Sequence, residues 1–373
     1  MVQPNFVTSK ETLVSAASRK LLHLTKSGQV TKALDFFNET IPNSNISRTV
    51  GMYNVLISCL LQYRSPKKAQ EIYEQLLRDV DLCPNQVTYN LMIKAYGHTN
   101  EPALVRRTYQ TMINERIPRD INTLNALVTA FPLCGEPEKI FPTIRNFKEE
   151  GCIPNTLTLN LALRGFLKVS RTDLFCHILN HSEELQVPWD FITYSIVVDF
   201  VLKFDSSKYK DVQMAPFKHS TSLEIARALR QQAFDENITH CSISVPIFAK
   251  LSASRNVADM KNELTLLKEL NIPISVAVYN TFISCYVRLG AIDKIEETLK
   301  LMEAQSVQPD RRTFMPILTS YTRKLDIENS KYWFNRMKNS LRGDIDRFAY
   351  ILMERLHKNI GDHKAAESYA KTL

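Results

Sequence analysis

Five asparagines, Asn54, Asn90, Asn125, Asn160 and Asn280, stand at one place in five similar stretches: TVGMYNVLISCL (49–60), QVTYNLMIKAY (86–96), INTLNALVTAF (121–131), TLTLNLALRGF (156–166) and VAVYNTFISCY (276–286). Asn90, Asn125 and Asn160 are 35 residues apart, and Asn54 lies 36 before Asn90. Asparagine is a poor residue inside a helix, because its amide competes with the backbone. Five at one register near the start of an apolar helix need a reason. The side-chain amide carries both donors and an acceptor, so it can read the Watson–Crick edge of an unpaired base. Its other use is to bond neighbouring repeats to one another. No other chemistry stands out. Cys59, Cys83, Cys134, Cys152, Cys176, Cys241 and Cys285 form no CxxC pair and lack zinc-ligand spacing. They read as buried free thiols of a reducing compartment. There is no Walker loop, GxSxG or HExxH. His181-Ser-Glu183 imitates half of a zinc-deaminase signature without its PCxxC partner, and Asp199 and Asp205 are scattered. The expectation is a non-enzyme with no catalytic residue, no metal and no cofactor.

A fixed period near 35 residues is the mark of a helical repeat array, in which each repeat buries its apolar face against its neighbours. Cut so that the asparagine is the fifth residue, the repeats run 14–49, 50–85, 86–120, 121–155, 156–190, 191–241, 242–275, 276–310, 311–344 and 345–373. In 86–120, Val87, Leu91, Met92, Ala95 and Tyr96 form one apolar stripe, and Ala103, Leu104, Tyr109 and Met112 form a second after a short break. That is a helix–turn–helix pattern. Pro84, Pro154, Pro188, Pro273 and Pro309 stop the second helices. The expected fold is all-α, a solenoid of about ten such repeats. Residues 1–13 form an N-terminal extension and 14–190 a five-repeat array, clearest over 50–190. Residues 191–275 are degenerate repeats with a polar insertion near 205–222, and 276–373 are C-terminal repeats and a cap. The insertion reads as a surface loop.

The 373 residues carry a formal charge of +8, with 44% hydrophobic and 23% charged residues, ordinary for a folded chain with a polyanion as partner. No run of 18 apolar residues could span a membrane. Residues 1–13 contain Glu11 and no arginine, unlike a mitochondrial presequence.

VTYN at 87–90 with a closing IPRD (117–120) resembles the pentatricopeptide repeat, whose 35-residue unit begins near V-x-T-Y-N and ends near P-D. MYN (52–54) with CPN (83–85), CIPN (152–155), VPWD (187–190), and VYN (278–280) with VQPD (307–310) match in register. The loosely kept repeats resemble mitochondrial members from fungi or protists. The resemblance implies a right-handed superhelix that binds single-stranded RNA, one base per repeat, chosen by the fifth residue with the last residue of the repeat. The implied pairs are Asn54 with Asn85, Asn90 with Asp120, Asn125 with Asn155, Asn160 with Asp190, and Asn280 with Asp310. By the family's tendencies they select pyrimidine, U, pyrimidine and U, then after a gap U. The second residue of each repeat sandwiches the base; Val87, Leu157, Ile192 and Ile243 fit, whereas Gly51, Asn122, Arg312 and Asp346 do not. Pro246 and Met315 at the fifth position cannot read a base edge, although Ser195 can. Lys26, Lys168, Lys203, Arg288 and Arg323 share one position near the ends of first helices and are expected to track phosphates. The function expected is organellar, above all mitochondrial: RNA processing, splicing, stability or translation. A scaffold subunit of a mitochondrial ribosome or RNA-processing complex is the alternative. A protein partner is expected at 191–275 or the C-terminal repeats.

Overall fold

The computed structural model describes residues 7–370 except 45, 183, 184, 186, 205–211, 213–220, 342–344 and 346. The described residues are helical, with no strand. Two compact bodies divide the chain, Met1–Pro188 and Trp189–Leu373. In the first, α1 (Val7–Lys26) precedes α2 (Val30–Asp35), which runs through a π-turn at Phe36–Thr40 into α3 (Ile41–Asn43). Four helix pairs follow: α4 (Val50–Gln62) with α5 (Pro66–Arg78), α6 (Gln86–His98) with α7 (Pro102–Asn114), α8 (Ile121–Leu133) with α9 (Ile140–Glu149), and α10 (Thr156–Lys168) with α11 (Thr172–Asn180). The second body holds α12 (Phe191–Lys203) with α13 (Ser222–Asp235), α14 (Val245–Ala253) with α15 (Val257–Glu269), and α16 (Val276–Leu289) with α17 (Ile292–Ala304). It ends with α18 (Arg311–Arg323) and α19 (Ile327–Ser340), then α20 (Arg347–Asn359) and α21 (His363–Ala370).

Within each body first helices pack on first helices, α4 on α6, α6 on α8 and α8 on α10, then α12 on α14, α14 on α16, α16 on α18 and α18 on α20. Each second helix folds back on its own first helix, and α5, α7, α13, α15 and α19 also reach the first helix that follows. The apolar stripes are what make this stack. Leu56, Ile57 and Leu60 on α4 and Met92, Ile93 and Ala95 on α6 are all wholly buried. Burying one such Leu, Ile or Met is worth about 1.5–3 kcal/mol. Two glycines set the spacing. A Cβ on Gly97 would lie 2.8 Å from Ala130 Cα, and one on Gly165 would lie 2.6 Å from Pro132 Cγ. A tyrosine before the fifth position clamps each of three repeats: Tyr89, Tyr194 and Tyr279 donate to Glu115, Glu236 and Gln305 at 2.9, 2.7 and 2.6 Å.

The turns between paired helices use left-handed backbone, by Arg64, Asn100, Ser170, Arg255 and Leu325 as well as by glycine at 28, 135, 290 and 361. The chain's nine glycines are therefore too few to mark every turn. Helix α1 begins at Val7, inside the segment read as an extension, and the second body begins at Trp189 rather than 191. Most of the expected insertion near 205–222 lies outside the described residues.

Candidate nucleic-acid interface

The last residue of a repeat is also the N-cap of the next first helix. Asn85, Asp120, Asn155, Asp190 and Asp310 each cap a helix with extended backbone and close a reciprocal box with a threonine three residues on. Those threonines, Thr88, Thr123, Thr158, Thr193 and Thr313, are completely buried. In the first box Thr88 N donates to Asn85 Oδ1 at 3.1 Å and Asn85 N donates to Thr88 Oγ1 at 3.2 Å. Such a cap satisfies helix N–H groups that have no intrahelical partner.

The repeated asparagine of the preceding repeat bonds into this box. Thr88 Oγ1 donates to Asn54 Oδ1 at 2.8 Å, and Asn54 Nδ2 donates to Asn85 Oδ1 at 3.2 Å. Thr313 Oγ1 donates to Asn280 Oδ1 at 2.7 Å, while Asn280 Nδ2 donates to Asp310 Oδ1 at 3.0 Å. Thr158 Oγ1 donates to Asn125 Oδ1 at 2.7 Å. Ser195, at the fifth position of its repeat, donates to the Ser242 carbonyl at 3.1 Å. The amides are secluded: Asn54, Asn90, Asn125 and Asn160 are each less than one-tenth exposed, and Asn280 is half-buried. Asn90 differs. Asp120 accepts from the Asn122 amide and from the backbone of Asn122 and Thr123, and Asn90 Oδ1 is buried with no hydrogen-bond partner. Burial pushes the Asp120 carboxyl up, but these hydrogen bonds outweigh it and hold the group below the usual carboxylate range.

The second-position residues divide. Val87 and Leu157 are 53% and 54% exposed. Ile192 is half-buried. Ile243 is wholly buried, in a short 3-10 turn (Cys241–Ile243) before α14, so it presents no face to a base. The reason is a shift in register: α14 starts at Val245, three residues beyond the start of the repeat cut at 242. Val87 and Asn54 line one cleft of about 390 Å³ together with Lys26, so a charge, an amide and an apolar face converge there from three successive repeats.

All five cations expected to track phosphates are exposed. Lys203 is paired with Asp199 at 2.7 Å, and Arg288 donates to the Ser252 carbonyl at 2.8 Å. The sequence reading passed over His98, which ends α6 at the position Lys168 holds in α10. Burial, then Lys168, then Arg64, hold its imidazole below the usual value. Its place in the period was the available signal. No cluster that could hold a metal occurs among the described residues, and no described helix is long and apolar enough to cross a membrane. Cys59, Cys134, Cys176, Cys241 and Cys285 are buried, whereas Cys83 is exposed and Cys152 half-buried.

Residues 39–99, 108–166 and 264–324 match the pentatricopeptide repeat domain, and 87–117 match the PPR repeat, together about half of the chain. A mitochondrial pentatricopeptide repeat-containing protein of Arabidopsis thaliana is 22% identical over 283 residues, 75% of this chain and 44% of that protein. A chloroplastic one from the same plant is 25% identical over 138 residues, 37% of this chain and 18% of that protein. The chain spans less than half the length of these relatives. Among solved structures, the pentatricopeptide repeat protein PPR10 from maize aligns over 95% of this chain and 53% of its own, with 15% identity and a TM-score of 0.47. The PPR domain of Arabidopsis thaliana protein-only RNase P 1, solved in complex with tRNA, aligns over 50% of this chain and 96% of its own, with 18% identity and a TM-score of 0.39. The sequence matches fall on repeats built from these caps and packed first helices, and the chain belongs to the pentatricopeptide repeat family.

Proposed function

We propose that this protein binds single-stranded, pyrimidine-rich RNA in an organelle, the mitochondrion, and acts in RNA processing, splicing, stability or translation without catalysis of its own. The observation that carries the reading is the cleft where Lys26, Asn54 and Val87 meet. A base needs an apolar face to stack on, a hydrogen-bonding group at its edge and a cation for its phosphate, and these three residues supply one each. The bonds that tie Asn54 into the next repeat do not exhaust it. An amide has two N–H donors and two acceptor lone pairs, and the bridge uses one of each. In the proposal Asn85, Asp120, Asn155, Asp190 and Asp310 pair with the asparagines as selectors, and Lys168 extends the phosphate track begun at Lys26. Relatives whose names place them in mitochondria or chloroplasts support the organelle.

A second reading rests on the same bonds. If the amides of Asn54, Asn125 and Asn280 serve only to join repeats, the array is a protein-binding scaffold. Selection from a random single-stranded RNA pool separates the two. A U/C-rich motif is expected to emerge from the intact chain. Binding with no enrichment, abolished by modest salt, would remove base selection and leave the scaffold.

A further inference from the structure

We propose that Asn122 sets how sharply the Asn90 repeat discriminates between bases, by holding Asp120 to itself and leaving the Asn90 amide able to turn over. The inference rests on the RNA-binding reading above and deepens it at one repeat. Asn90 with Asp120 and Asn280 with Asp310 are the same residue types at the same two places, yet their bonding differs. Asn280 is held at both ends: its Nδ2 donates to Asp310 Oδ1 at 3.0 Å, and its Oδ1 accepts from Thr313 Oγ1 at 2.7 Å. Asn54 is held in the same way by Asn85 and Thr88. Asn90 Oδ1 is instead buried with no hydrogen-bond partner, and Thr123 Oγ1 donates to Asp120 Oδ1 at 3.4 Å. A buried acceptor left without a donor is costly, and a ligand that brings one relieves the cost.

The cause lies two residues beyond the cap. Val87, Leu157, Ile192 and Arg312 stand there in the other boxes, and Asn122 alone carries an amide. Asn122 Nδ2 donates to Asp120 Oδ2 at 2.9 Å, while the backbone N–H groups of Asn122 and Thr123 donate to Oδ1 at 2.9 and 3.1 Å. Local side-chain bonds of this kind compete with more distant partners for the same acceptor. The consequence is one of orientation. An amide bonded at both ends presents donor and acceptor in a fixed order. An amide without those bonds exchanges the two by a half-turn of its terminal torsion, in almost the same volume. Uracil sets an N3–H donor beside its O4 acceptor, and cytosine sets an N3 acceptor beside its amino donor. One orientation of Asn90 suits uracil and the other suits cytosine, and either base supplies the donor that Oδ1 lacks. The Asn90 repeat therefore accepts both pyrimidines, whereas the Asn280 repeat, with the same two residue types, holds to one. Asn122 acts here as a positioning residue, through Asp120.

The test is selection from a random single-stranded RNA pool with the full chain, Asn122→Val, Asn122→Asp and Asn90→Ala. Neither valine nor aspartate can donate to Asp120, and aspartate keeps the shape of asparagine. Asn122 is exposed, and an unchanged circular-dichroism melt confirms that its variants fold. Asn90→Ala locates the nucleotide concerned, as the position whose preference disappears. The intact chain is expected to divide that position between U and C, and both Asn122 variants to resolve it to one base. Oligonucleotides of the selected sequence that differ only there should bind the intact chain within about twofold of each other and the Asn122 variants about tenfold apart, the scale of one well-made base contact. The ratio is what is read, so a general change of affinity does not enter. A single base already fixed in the intact chain, or a position still divided in both variants, would overturn the role of Asn122. Sharpening by valine alone would assign the effect to stacking and overturn it too. If no motif emerges from the intact chain, base selection fails as a whole, whereas a motif that the Asn122 variants leave unaltered defeats this inference alone.

Discussion

Thr158 shows how one side chain serves three partners. Its hydroxyl donates to Asn125, accepts from the Asn155 backbone, and shares the box with the Asn155 side chain that caps α10. Thr158→Val keeps the shape and removes all three, leaving Asn125 Oδ1 secluded without this donor. Chemical denaturation is expected to show a loss of about 2 kcal/mol; a change within error would mean the box holds nothing together. His98 makes a second residue-scale prediction. Burial, then Lys168, then Arg64, disfavour its charged form in the free protein, and a phosphate beside it favours that form. Binding of RNA then takes up a proton, so affinity should rise as pH falls between about 7 and 5. The same depression makes folding stability fall over that descent, because the unfolded chain takes the proton more readily. His98→Gln should flatten the binding profile; a profile equally steep in the variant would assign the proton elsewhere. The asparagine register was legible because a polar residue recurring in an apolar stripe is conspicuous. The threonine box was not, since threonine is commonplace and its meaning lies in the residue three before it.

At the scale of elements, the spacing of first helices depends on Gly97 against Ala130. Gly97→Val would drive two methyl groups toward backbone, and a loss of about 2 kcal/mol is expected in thermal or urea unfolding. An unaltered midpoint would show that α6 and α8 can separate without cost. Seven first helices start at the first residue of a repeat as cut by the asparagine period: Val50, Gln86, Ile121, Thr156, Phe191, Val276 and Arg311. Five of these open with the same Asn- or Asp-capped threonine box and Val50 with a Thr49 cap, whereas Ser275 before Val276 makes no side-chain cap bond. The period failed at α14, where Pro246 and a 3-10 turn replace the cap and Ile243 turns inward. It also missed the left-handed turns at Arg64 and Leu325, because tertiary packing holds there a conformation that local sequence disfavours. The buried pairing of Arg230 with Glu263, joining α13 to α15, likewise lies in no motif.

For the whole molecule, charge is the property that acts at a distance. A net +8 supplies attraction to any polyanion, and the proposed base selection would operate on top of it. Raising monovalent salt tenfold is expected to weaken binding of a mixed-sequence single strand more steeply than it weakens preference for the selected motif over a scrambled one. Equal decline of both would mean that preference is electrostatic in origin. All-helical repeat architecture was readable from composition and period together. The division of the chain into two compact units after Pro188 was not, because the repeats on either side of that point look alike in sequence.

The threonine boxes also bear on how such a protein could be re-engineered. A repeat excised after residue 85 leaves with half of a bonded set, its Asn54 and Asn85 parted from Thr88. Grafted before a foreign repeat that lacks the threonine, it would bring a secluded amide with no one to answer it. A cut at the turn inside the helix pair, at Arg64, parts the same groups, because Asn54 precedes it and Asn85 and Thr88 follow, so a serviceable graft carries the next repeat's cap and threonine with it.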